Sequence, residues 1–94
     1  MWPEEVEEAL KEHADVADAL VVGVPDEEWG EAVFAVVAPV RGAAVDAEAL
    51  RDWVRGRLAA YKVPRRIVVV DEVPRGPAGK ADYASARAFA AQSR

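Results

Sequence analysis

The 94-residue sequence contains no cysteine. That excludes disulfides, thiol nucleophiles and cysteine-based zinc sites together. Its single histidine, His13, and its scattered acids do not make a ligand set, so no metal site is expected. His13 itself reads as structural, because acid–base work would need a partner that the sequence does not offer. Long apolar runs are missing too. The longest, residues 32–40, is about half the roughly 18 residues that a membrane span needs, and it is interrupted by Pro39. The opening Met-Trp-Pro-Glu-Glu is acidic and has no basic region leading into an apolar one, so no secretory signal is expected. Together these absences fit a reducing, cytoplasmic setting. Internal repeats and low-complexity tracts are also lacking, and the length fits one compact domain.

Charge is present in both signs but unevenly. Residues 1–31 carry 11 acids and one base, Lys11, whereas residues 32–94 carry 6 acids and 11 bases, for a net charge of −5 overall. Either these are two solvated faces, or the basic half faces an anion. Nucleic acid is not expected as that anion: the whole is acidic and the bases are not interleaved with aromatics.

Periodicity supplies the elements. Pro3 suits a first helical turn, and Glu4, Glu5 and Glu7 suit the positive end of the helix dipole. With Val6, Ala9, Leu10 and His13 at helical spacing, residues 3–13 read as an amphipathic helix. Residues 16–24 are rich in β-branched side chains and read as a strand. A turn follows from Pro25-Asp26 to about Gly30, and residues 31–40 form a second strand ending at Pro39 and the Arg41-Gly42 turn. Asp46 suits a helix N-cap. Leu50, Trp53, Val54, Arg57, Leu58 and Tyr61 then form one helical face that Pro64 stops. Residues 67–70 read as a short buried strand, residues 71–80 as a loop, and Asp82 as the cap of a last helix bearing Tyr83, Ala86, Phe89 and Ala90. The order α-β-β-α-β-α implies a small α+β domain, one sheet of about three strands packed with helices.

Three segments could carry chemistry. In Pro74-Arg75-Gly76-Pro77-Ala78-Gly79-Lys80, two prolines stiffen φ and two glycines permit unusual backbone angles. Such a loop can hold a shaped turn and present the Lys80 ammonium to a carboxylate or phosphate. It can equally be a solvated lysine on a turn. Gly79-Lys80 is followed by Ala81, and the glycine spacing is wrong, so it is not a nucleotide P-loop. Tyr61-Lys62-Val63-Pro64-Arg65-Arg66 ends a helix with cations, as the dipole favours. Trp29, in the acidic turn before Gly30 and Glu31, is either a contact residue or folded back on the core.

Read in order, these pieces resemble a known family. Residues 3–10, then Val16-Ala17-Asp18-Ala19-Leu20-Val21-Val22-Gly23-Val24-Pro25-Asp26, look like the opening of the C-terminal domain of AMP-forming adenylating enzymes. That group includes acyl-CoA synthetases, luciferases and peptide-synthetase adenylation domains. Trp29-Gly30-Glu31, Ala35-Val36-Val37, Tyr61-Lys62-Val63-Pro64-Arg65 and the segment ending in Gly79-Lys80 follow at fitting distances, so the resemblance runs from residue 3 to about 83. It implies that Lys80 is the catalytic cation of acyl-adenylate formation, bridging the substrate carboxylate and the adenylate oxygens. It also implies cofactor-binding roles for Gly79, Lys62, Gly30 and Glu31. ATP and CoA are the implied substrates, with Mg bound by an N-terminal adenylation domain that is the implied partner. In the family this lid then rotates on a hinge for thioester formation. The hinge is expected just before Trp2, and Met1-Trp2 looks like a cut just past it, so this chain alone is expected to be inactive. Gly79-Lys80-Ala81-Asp82-Tyr83 looks most like fatty-acid-type ligases, with a fatty or other carboxylic acid as substrate. A lid that loads a carrier protein, and a freestanding non-catalytic module that docks on a separate partner, are the alternatives. Acyl chain length is not encoded in this segment.

Overall fold

The computed structural model describes residues 3–26, 30–59 and 62–92. The elements run α1 (Pro3–Lys11), β1 (Val16–Asp26), β2 (Gly30–Pro39), α2 (Ala47–Arg55), β3 (Arg66–Val69) and α3 (Tyr83–Gln92). The three strands form one sheet in the order β1-β2-β3. β1 and β2 are an antiparallel hairpin, whereas β2 and β3 run parallel. A parallel neighbour needs a crossover, and α2 provides it. The α+β class and the element order read from the sequence are those observed.

Both faces of the sheet are covered, which is why β1 and β2 read as continuous apolar runs. On one face Ala19, Val21, Val33, Ala35, Val37 and Ile67 meet Val6 and Leu10 of α1 and Leu50 and Val54 of α2. On the other, Leu20, Val22, Phe34, Val36 and Ala38 meet Ala86 of α3 and Val73 of the preceding loop. A register shift between Val16 and Asp18 marks a β-bulge near the start of β1. A bulge changes which face successive side chains take. Val16 therefore joins the α1/α2 core, whereas Asp18, past the bulge, follows plain alternation and lies on the α3 side with Leu20.

Several boundaries differ from the periodicity. α1 ends at Lys11, not at residue 13, because a turn takes over: the N–H of His13 donates to Leu10 O and that of Val16 to His13 O. β1 continues through Pro25 to Asp26, paired with Gly30. The strand thus runs two residues past the expected end at Val24, and Trp29 lies outside the described residues. α2 begins at the expected cap, where an Asp46 carboxyl oxygen accepts the Ala49 N–H at 3.1 Å. It stops at Arg55 with Gly56 as C-cap. Glycine is a poor helix former, but the following turn still packs Leu58 against the core, so helical spacing persisted beyond the helix. Tyr61 lies outside the described residues. In β3, Ile67 is buried and Val68 packs on the α3 side, but Val69 is 41% exposed, so this strand is buried only in part.

Trp53 of α2 is the hub between α1, the turn after it, and the turn that follows α2. The Trp53 indole N–H donates to Ala9 O at 2.8 Å. Arg57 stacks over the Trp53 ring at 3.3 Å, and the His13 ring meets the indole edge-on at 4.9 Å. The Nδ1 of His13 accepts the Asp15 N–H. His13 is thus part of the turn that closes α1.

Candidate functional site

Residues 74–82 are not a slack loop. Val73 is buried in the core on the α3 face, and Ala81 packs against that core from the far side of the loop. Between these anchors the chain forms a miniature hairpin. Arg75 and Ala81 pair as an antiparallel bridge, the Asp82 N–H donates to Pro74 O at 3.1 Å, and the Gly76 N–H donates to Lys80 O at 2.8 Å. The Gly79 N–H closes the tip on Gly76 O at 2.9 Å, and Gly79 has φ +79°. Proline after Gly76 and a left-handed glycine at the end are what a three-residue hairpin loop requires. Asp82 then caps α3, its carboxylate accepting from the Ser85 N–H at 3.0 Å and the Ser85 hydroxyl at 2.7 Å. These two bonds hold the Asp82 carboxyl below the usual range.

The hairpin is fixed to the sheet by an ion pair. Arg75 meets the Asp18 carboxylate through two parallel bonds, Nε to Oδ2 at 2.8 Å and Nη2 to Oδ1 at 2.6 Å. Asp18 also accepts the Ala19 N–H at 2.9 Å. The hydrogen bonds from Arg75 are the main reason that the Asp18 carboxyl sits below its ordinary range, and Asp18 in turn raises Arg75. Such bidentate pairing fixes orientation as well as charge.

Lys80 follows the left-handed glycine. It is exposed, and its ammonium makes no hydrogen bond or ion pair among the described residues. A stiff hairpin thus ends in an accessible cation. Gly79 belongs to the same unit. The other residues singled out from the sequence do not. Gly30 pairs with Asp26 and Glu31 with Pro25 at the hairpin end of β1 and β2. Lys62 pairs with Glu5 of α1 at 2.8 Å, just before the segment in which the Arg65 N–H donates to Val33 O. That segment also lies at the hairpin end of β2. The stretch from Asp18 to Asp26, at about 3.3 Å per residue, spans about 26 Å. Lys62, Gly30 and Glu31 therefore occupy one end of the sheet, and Gly79 and Lys80 the other.

The uneven charge of the sequence is partly neutralised in the fold. Lys62–Glu5, Arg75–Asp18 and Arg57–Glu12 each pair a base of the second half with an acid of the first. Sequence reasoning missed Asp18, because nothing local links it to an arginine 57 positions away. It also missed Glu7, which is buried and whose signal was its place beside the apolar stripe of Val6 and Leu10. Among the described residues, no group of His, Asp or Glu is arranged to hold a metal ion, and no helix is long and apolar enough to cross a membrane.

Residues 5–80 match the family described as AMP-binding enzyme C-terminal domain. A medium/long-chain-fatty-acid–CoA/3-oxocholest-4-en-26-oate–CoA ligase of Mycobacterium marinum is 58% identical over 83 residues, 88% of this chain and 15% of that protein. A 3-oxocholest-4-en-26-oate–CoA ligase of Rhodococcus rhodochrous is 57% identical over the same shares. Among solved structures, the amide bond synthetase McbA of Marinactinospora thermotolerans superposes with a TM-score of 0.89 and 46% identity, over 95% of this chain and 18% of that one. The chain thus spans about 15% of the length of the curated relatives it matches.

Proposed function

Because this chain belongs to the AMP-binding enzyme C-terminal domain family, we propose that it is the mobile catalytic lid of an ATP-dependent, AMP-forming acid–CoA ligase. Lys80 acts in the first half-reaction. A substrate carboxylate attacks the α-phosphate of ATP, the bond to the β-phosphate oxygen breaks, and pyrophosphate leaves. The Lys80 ammonium bridges the carboxylate and the α-phosphate oxygens. It orients the attack and offsets the negative charge that builds in the transition state. The observation that carries this reading is the anchored hairpin that ends in an exposed Lys80 whose ammonium has no partner among the described residues. A permanent charge on a flexible stem, held by a stiff base, is what such a step needs.

The remaining roles follow from the two ends of the sheet. With Gly79 and Lys80 at one end and Lys62, Gly30 and Glu31 at the other, a rotation of the lid would exchange the groups that face a partner adenylation domain. The first end serves adenylate formation, and the second serves thioester formation with CoA. Mg accompanying ATP would be held by that partner domain, since the described residues here offer no cluster for it. The activities of the relatives favour CoA over a carrier protein as acceptor, and a fatty or steroid side-chain carboxylic acid as substrate. The cysteine-free sequence suits work in the cytoplasm.

The test is Lys80→Ala in the chain joined to its adenylation domain. Adenylate formation, followed by pyrophosphate release, should fall by about 100- to 1000-fold, the cost of removing one such stabilising donor. Thioester formation from pre-made acyl-adenylate and CoA should survive. Equal loss in both assays would refute the assignment.

A further inference from the structure

The Asp18–Arg75 ion pair lies outside the reacting groups, yet it sets where Lys80 points. Arg75 and Ala81 are opposite each other in the small hairpin. Side chains of directly opposed residues share a face, and successive residues alternate. Ala81 packs on the α3-side core and Arg75 reaches Asp18 on the same side of the sheet. The next pair along, Gly76 and Lys80, is joined by the 2.8 Å bond from Gly76 N–H to Lys80 O and faces the other way, outward. A slip of one residue would turn Lys80 inward. Ala81 is small and gives that register little hold, whereas the two parallel bonds of Arg75 fix it in direction as well as distance. Arg75 also approaches the Gly79 carbonyl, directly before Lys80, at 3.5 Å. On the sheet side, Asp18 lies on the α3 face by plain alternation with Leu20 and Val22.

From this juxtaposition we infer that Asp18 and Arg75 are a positioning pair for adenylate formation. They lock the register of the hairpin so that Lys80 faces outward toward the nucleotide. The inference rests on the reading of Lys80 given above. It makes a residue 62 positions upstream of Lys80 part of the same half-reaction, through a contact made within the lid itself.

The experiment uses the chain joined to its adenylation domain and measures both half-reactions in Asp18→Asn, Arg75→Lys, the exchange Asp18→Arg/Arg75→Asp, and Lys80→Ala. Asp18→Asn and Arg75→Lys should lower the turnover number for adenylate formation by about 10- to 100-fold, the effect of a misplaced catalytic group. The KM for ATP and the thioester step should change by less than about twofold, because the binding groups for both are untouched. The exchanged pair should recover part of the loss, and Asp18→Asn added to Lys80→Ala should cost nothing more. A merely structural ion pair would depress both half-reactions together, and that result would overturn the inference, as would full adenylate formation in both single variants. If Asp18→Asn does not fold, as judged by its thermal melt, Arg75→Lys decides by the same criteria. Lys80→Ala separates the two levels. If it spares adenylate formation, the functional reading falls and this inference with it. If it cripples that step while Asp18→Asn and Arg75→Lys leave it intact, only this inference falls.

Discussion

A carboxylate oxygen of Glu7 accepts the backbone N–H of Val21 at 2.9 Å, on the side of β1 away from β2. β1 is an edge strand, and its outward amides would otherwise lack a partner. Glu7 is only 9% exposed. It also accepts from the Tyr83 hydroxyl at 3.3 Å, so α1 and α3, on opposite faces, are tied around the same edge. Glu7→Ala leaves both donors unsatisfied and should destabilise the chain by about 2 kcal/mol, whereas Glu7→Gln, which keeps an acceptor, should cost less. Urea denaturation of the 94-residue chain measures the difference.

The same contact makes an alkaline prediction. Burial, and then the charge and hydrogen bond of Glu7, raise the Tyr83 phenol above its ordinary value. A pKa raised on folding means that the folded state holds the proton more tightly. The contribution of neutral Tyr83 is therefore fully present below the unfolded tyrosine value of about 10 and is lost as pH rises through the higher folded value. Stability of the wild-type chain should fall across that window, and Tyr83→Phe should flatten the fall. Ultraviolet titration of phenolate in a Tyr61→Phe background isolates Tyr83. Titration at or below the ordinary value would contradict the prediction.

The tip of the Lys80 hairpin offers a test of backbone alone. A Cβ on Gly79 would meet nothing within 4 Å, but φ there is +79°. Gly79→Ala should therefore cost about 1–2 kcal/mol through the left-handed backbone and not through a clash. Gly79→Asn should cost less, since asparagine tolerates that region. Gly76→Ala is the control: its Cβ would lie 3.8 Å from Lys80 O, an ordinary contact. Adenylate formation should rank Gly79 above Asn above Ala, with Gly76→Ala close to the unaltered chain.

Much of this was legible in the sequence, and the reasons differ by element. β1 and β2 were plain because β-branched runs are buried on both faces, and the caps Asp46 and Asp82 were plain because capping is local chemistry. The end of α2 was not, because Leu58 stays on the apolar side in the turn after the helix. The hairpin of Lys80 could be read only as a stiff loop. Its outer half is set by Pro77 and Gly79, which are local, but its register is set by Asp18, which is not. The cross-chain ion pairs were not legible for the same reason. Lys62, Arg75 and Arg57 find their partners across the chain, a pairing that composition does not contain.

That placement of Lys62 gives the sharpest test of the two-ended lid. Its ion pair with Glu5 is partly exposed on the Glu5 side, at 18% for the lysine and 46% for the glutamate, so Lys62→Met should cost no more than about 1 kcal/mol of stability. If the hairpin end of the sheet meets CoA, the same variant should lower thioester formation from acyl-adenylate by about tenfold or more, the worth of one charge-assisted hydrogen bond. Adenylate formation should stay within about twofold, because Lys62 lies at the end of the sheet opposite Lys80. Lys80→Ala should give the mirror image. The pair forms a crossed comparison in which each variant is the control for the other. A Lys62→Met enzyme that loses both half-reactions equally would mean that the residue supports the lid as a whole. One that loses only adenylate formation would mean that the two ends do not divide the work.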